Sequence, residues 1–151
     1  MPESKTNSAS KAMVKTDRSL PIALLRAREK VMGPFREMLS ESGISEQKWR
    51  VLRVVDESGP VAQARIAEAA CLMLPSLTRI LKSMEQDGYL SREIAENDRR
   101  TTMVSLTDKG RALIAQHSRK SKEIAENLAR DFGRERLDKL LDLLEELREL
   151  P

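Results

Sequence analysis

The feature that most restricts the fold is the spacing of apolar runs and chain breakers between residues 62 and 106. Residues 62–70 form an Ala-rich helical pattern with Ile66, Ala67 and Ala70 on one side. A short turn, Cys71 to Leu74, follows, and Pro75 opens a second helix at a position where its missing N–H costs little. On that helix Leu77, Ile80, Leu81 and Met84 make one apolar stripe, and Ser76, Arg79, Lys82 and Ser83 fall largely outside it. Gly88 suits the left-handed position that stops a helix. Two β-rich runs come next, Tyr89–Ile94 and Thr101–Leu106, separated by the polar tip Ala95–Arg100.

The flanking segments are helical. Ser19 is a good N-cap for a helix over 19–41, with a kink or break expected at Gly33-Pro34. Ser45 caps the next helix, with Ile44 placed to staple onto Trp49, and Gly59-Pro60 ends it. Thr107 caps a long helix through about Phe132, and Gly133 stops it. The last helix carries Leu137, Leu140, Leu141, Leu144, Leu147 and Leu150, more leucine than packing on one side needs. Only Phe35, Trp49, Tyr89 and Phe132 are aromatic, so the core is built from aliphatic side chains. The fold class expected is mainly α: a winged helix-turn-helix with a small two- to three-stranded β-wing on a helical dimerisation platform. The divisions are a disordered basic arm at 1–18, an N-terminal dimerisation region at 19–44, the winged region at 45–110 and C-terminal dimerisation helices at 111–151.

Composition excludes more than it proposes. One cysteine, Cys71, rules out an internal disulfide and fits a reducing cytoplasm; the cysteine itself reads as core packing. No apolar run is long enough to span a membrane, and the N-terminus has no secretory pattern. One histidine and one cysteine, far apart, give no nucleophile–base signature, and no phosphate-loop or metal-ligand spacing occurs. A non-enzymatic protein with no cofactor and no metal is expected. Net charge is +3, but residues 61–110 hold seven basic and seven acidic side chains, so any nucleic-acid reading rests on placement. The placement is favourable: no acid lies between Glu68 and Glu85, while Arg79 and Lys82 do.

The helix from Pro75 to Gln86 is suited to a major groove, with its N-terminal residues nearest the base edges. Pro75, Ser76, Thr78 and Arg79 are the candidate base-reading residues, and Lys82 suits a phosphate. At the wing tip Arg99 and Arg100 suit an electronegative minor groove. Asp98 repels phosphate, so its expected work is an internal contact that aims an arginine.

Asn97-Asp98-Arg99-Arg100 followed by Val104-Ser105-Leu106-Thr107-Asp108-Lys109-Gly110 resembles the wing and following helix of MarR-type regulators. Ser19-Leu20, Arg28-Glu29, Phe35-Arg36, Ser45-Glu46-Gln47, Trp49-Arg50, Cys71 and Pro75-Ser76-Leu77-Thr78 are similar to the subgroup that controls homoprotocatechuate degradation. The resemblance departs at Met73-Leu74, where a polar cap is common in the wider family. It implies a homodimer on a pseudo-palindromic double-stranded DNA operator, acting as a repressor relieved by a small aromatic carboxylate. The alternative it leaves open is a regulator of efflux or stress genes with another effector or a cysteine-based redox response. Candidate ligand contacts are Arg28, which shares the apolar side of the first helix, Trp49 as an aromatic wall, Arg50, and the sole histidine, His117. For Arg28 and His117 the competing reading is structural: an ion pair for the first and a buried hydrogen bond for the second.

Overall fold

The computed structural model describes residues 13–151. Most of the basic arm expected at 1–18 lies outside the described residues; its last part forms a single 3-10 turn, Thr16–Arg18. The elements are α1 (Leu20–Ser40), α2 (Glu46–Ser58), β1 (Val61–Ala62), α3 (Gln63–Ala69), α4 (Leu74–Gln86), β2 (Leu90–Ala95), β3 (Asp98–Leu106), α5 (Asp108–Phe132) and α6 (Arg134–Arg148). The chain divides into two compact units after Pro34. In the first, most of α1 is exposed, including Leu20, Leu24 and Leu25. The second carries the winged helix-turn-helix.

Local chemistry explains the boundaries of α2 and α5. Ser45 Oγ accepts from the Lys48 N–H at the start of α2. Thr107 Oγ1 accepts from the Gly110 N–H at the start of α5 and itself donates to the Gly88 carbonyl. Gly110 is obligatory there, because a Cβ would run into the Tyr89 carbonyl oxygen. One Leu-Thr-x-x-Gly segment thus caps α5 and clamps it to the end of α4 at the same time. Gly88, at φ +82°, and Gly133, at φ +102°, adopt the positive φ that ends α4 and α5.

Four expectations change. Of the kink or break expected at Gly33-Pro34, the break does not occur, and α1 continues through both residues. Proline removes one hydrogen bond there, and no atom outside the helix crowds Gly33. The second helix of the motif starts at Leu74 rather than Pro75, with Met73 at its cap. The wing tip is shorter than expected: β3 begins at Asp98, leaving Glu96-Asn97 as the turn. Cys71 is exposed rather than packed in the core, because it takes the left-handed φ of +54° that turns the chain after α3.

The sheet is three-stranded and antiparallel in the order β1-β3-β2. Val61 pairs with Val104, and Leu90 pairs with Leu106. The short β1 escapes a periodicity reading because two residues carry no pattern. The core runs from the end of α1 (Met38, Leu39) through α2 (Val51, Leu52, Val55), Ile66 of α3, and Leu77, Leu81 and Met84 of α4 to Leu90 and Val104 of the sheet. All three α4 side chains are fully buried, so that helix is fixed in rotation about its own axis. By contrast, α6 has no buried residue at all.

Candidate nucleic-acid interface and effector cleft

Burial of Leu77, Leu81 and Met84 dictates what α4 turns outward: Pro75, Thr78, Arg79, Lys82 and Gln86 are exposed. Ser76 is half-buried. Thr78 Oγ1 donates to the Leu74 carbonyl and accepts from Gln63 Nε2, which ties the outer face of α4 to the start of α3. Gln63 gives no signal in the sequence, because its partner lies on another element.

The wing is fastened to α4. Arg92 on β2 donates from Nε and Nη2 to the two carboxylate oxygens of Glu85, a two-pronged contact at 3.2 and 3.1 Å. The hydrogen bonds from Arg92 hold the Glu85 carboxyl below the usual glutamate range against a smaller opposing effect of burial. The same contact raises Arg92. On its other flank α4 is tied to α2, where Lys48 donates to Ser83 Oγ at 2.9 Å.

At the wing tip the ladder is irregular. Ile94 pairs with Thr102 and Ala95 with Asp98, so β2 advances one residue while β3 advances four. Arg99, Arg100 and Thr101 form the bulge between those pairs, and both arginines are exposed. Asp98 stabilises it: its Oδ1 accepts from the Arg100 backbone N–H at 2.9 Å, and its Oδ2 accepts from the Thr101 hydroxyl at 3.2 Å. The acid thus acts on the backbone that carries Arg100. Side-chain exposure at this site leaves Arg79, Lys82, Arg99 and Arg100 open to water on one scaffold.

A separate cleft of about 410 Å³ lies between α2 and α5. Trp49, Arg53 and Asp56 line it from α2 at one-turn intervals, and Ser118, Ser121 and Lys122 line it from α5. Trp49 meets His117 edge-on with ring centroids 5.7 Å apart. His117 is buried, and its Nε2 lies 2.8 Å from Ser42 Oγ, so the histidine braces the indole from behind and is absent from the cleft lining. Arg50 points elsewhere, donating from Nη1 to the Ala70 carbonyl at 2.8 Å. Arg28 is exposed on α1 in the first unit. Of the four sequence candidates, Trp49 alone lines the cleft. The arginine beside it is Arg53, one turn further along the same helix face, a spacing that the i, i+4 rule makes legible.

Among the described residues no group of three or more His, Cys, Asp or Glu side chains is placed to hold a metal ion, and no helix is long and apolar enough to cross a membrane.

Comparison with known proteins agrees with this architecture. The MarR family model matches residues 44–102, from the start of α2 into the wing. The homoprotocatechuate degradative operon repressor of Escherichia coli is 39% identical over 128 residues, spanning 85% of this chain and 86% of that protein. The crystal structure of NadR in complex with 4-hydroxyphenylacetate superposes with a TM-score of 0.80 at 33% identity, covering 92% of this chain and 99% of that one. The repressor CouR bound to a 23-mer DNA duplex superposes with a TM-score of 0.73 at 27% identity, covering 98% of this chain and 100% of that one. Matched at 39% identity over 85% of its length, this chain, with its wing and its outward-facing basic helix, belongs to the MarR family of winged helix-turn-helix DNA-binding transcriptional regulators.

Proposed function

We propose that the chain works as a homodimeric repressor that releases its operator when a small aromatic carboxylate binds. The observation that carries the DNA half is the two-pronged contact that ties α4 to the wing through Glu85 and Arg92. It sets Arg79 and Lys82 on one scaffold with Arg99 and Arg100. In this reading α4 enters a major groove, with Pro75, Ser76, Thr78 and Arg79 nearest the bases and Lys82 on a phosphate. Arg99 or Arg100 enters the flanking minor groove, and Asp98 orients the bulge that delivers it. Residues 19–44 and 111–151 supply the dimer platform and 45–110 the reading head. Two copies then address half-sites about one helical turn apart.

The effector half rests on the cleft. Trp49 offers an aromatic wall, Arg53 and Lys122 offer cations for a carboxylate, and Asp56 offers an acceptor for a ring hydroxyl. That NadR was crystallised with 4-hydroxyphenylacetate supports the ligand class. Because α2 carries the cleft on one side and core contacts to α4 on the other, occupancy acts on DNA binding only by favouring one disposition of the reading heads.

Fluorescence anisotropy on operator DNA, with isothermal titration of 4-hydroxyphenylacetate and homoprotocatechuate, tests both halves. Arg79→Ala is expected to weaken binding and relax base preference by about 1–3 kcal/mol at one position, and Arg100→Ala to reduce the salt slope by about one. Arg53→Ala is expected to abolish the heat of effector binding with DNA affinity intact. If neither arginine change alters DNA binding, the DNA assignment is wrong; if neither acid gives heat or releases DNA, the effector assignment is wrong.

A further inference from the structure

We propose that Met73 and Leu74 form an apolar reading edge at the start of α4 that takes the 5-methyl groups of thymine in the major groove; the inference rests on the reading of α4 as the groove-entering helix. Among the described residues between Phe35 and Lys139, the exposed large hydrophobic side chains are Met73, Leu74 and Ile94, and the first two are adjacent. Met73 is 77% exposed and Leu74 52% exposed. They stand where local stability favours the opposite chemistry. Met73 occupies the cap position of α4 and makes no side-chain capping hydrogen bond, whereas Ser, Thr, Asp or Asn there would satisfy a helix N–H. Thr78, one turn on from Leu74, has its hydroxyl engaged on both sides, by the Leu74 carbonyl and by Gln63 Nε2. Its methyl group is then what remains to extend the apolar edge.

The surroundings decide what can cover this edge. From Ala69 to Met84 the sequence holds no acid, and Arg79 and Lys82 are exposed on the same helix. Glu85, the next acid, is held by Arg92. An apolar edge set in a basic face is complementary to a duplex: phosphates meet the cations, and thymine is the base that offers an aliphatic group in the major groove. The edge is also continuous with Pro75, Thr78 and Arg79, so no second docking event is needed. Met73 and Leu74 therefore act as specificity residues that favour A·T pairs at the half-site positions facing the entrance of α4.

The test uses the full chain and duplexes it selects from a random-sequence pool at fixed salt. Each thymine of a selected duplex is replaced in turn by deoxyuridine, which lacks only the 5-methyl group. One or two replacements per half-site are expected to weaken native binding about fourfold for each methyl buried. In Leu74→Ala or Met73→Ala that penalty should vanish, while penalties elsewhere in the site persist. Both side chains are exposed, so the variants should melt with the native protein. The proposal is overturned if no deoxyuridine position matters, or if the penalties survive in both variants. A change of oligomeric state in DNA-free sedimentation of these variants would assign the edge to a second protein copy and overturn it equally. If the pool yields no preferred sequence at all, the reading of α4 fails first and takes this inference with it.

Discussion

The winged helix-turn-helix and the C-terminal helix α6 use similar apolar content in opposite ways. In the first, Leu52, Ile66, Leu77, Leu81, Met84 and Val104 are wholly shielded from water by one another. In the second, Leu140, Leu141, Leu143, Leu144 and Leu147 are all exposed and no residue is buried, and Leu150, just beyond the helix end, is exposed as well. One region completes its core within a single chain. The other carries a hydrophobic surface that a single chain leaves in water, which is the physical argument for a second copy. The lesson is that the winged region is internally complete and the surface of α6 is not, so their responses to mutation should separate.

The largest separation is expected from Leu141→Glu with Leu144→Glu. Charge on that surface should convert the proposed dimer to monomer in sedimentation velocity. Operator affinity should fall by a factor on the order of 100 or more as the two heads lose their linkage. The head itself should keep its melting transition. A double variant that stays dimeric breaks the comparison. Next comes Gly110→Ala, which drives a methyl group against the Tyr89 carbonyl where α5 is clamped to α4. Calorimetry should register a loss of about 1–3 kcal/mol, located in the head.

The smallest effect concerns the strut between α4 and the wing. Hydrogen bonds from Arg92 depress the Glu85 carboxyl, so the folded form favours the ionised state. Its stabilising contribution is therefore fully present above the ordinary glutamate pKa and is lost as pH falls through the depressed value. Melting temperatures of native protein and Glu85→Gln should differ at neutral pH and converge below about pH 4. Because the pair is partly exposed, the difference will be slight; a difference that grows on acidification contradicts the sign.

Much of this molecule is legible in its sequence because the relevant signals are local. Ser45 and Thr107 cap where their hydroxyls reach a nearby N–H, Gly88 and Gly133 end helices where φ must be positive, and the apolar stripe of α4 fixes which side chains face out. Other features are not legible for an equally physical reason. The two residues of β1 become a strand only because β3 passes beside them. Cys71 is pushed out of the core by a backbone conformation that its side-chain chemistry does not announce. At the cleft, Arg50 adjoins Trp49 in sequence and Arg53 lies a full turn further on, yet rotation about the helix sends the nearer residue to the Ala70 carbonyl and the farther one to the cleft.

By itself, then, the sequence determined the order of the helices and of the two longer strands, the caps that bound α2 and α5, and the face that α4 offers. Those depend on interactions within a turn or two of chain. Tertiary structure alone decided that Arg92 grips Glu85, that Gln63 reaches Thr78 and that His117 braces Trp49. Each of those pairings joins groups whose positions follow from how separate elements pack, and packing is fixed by the whole core at once.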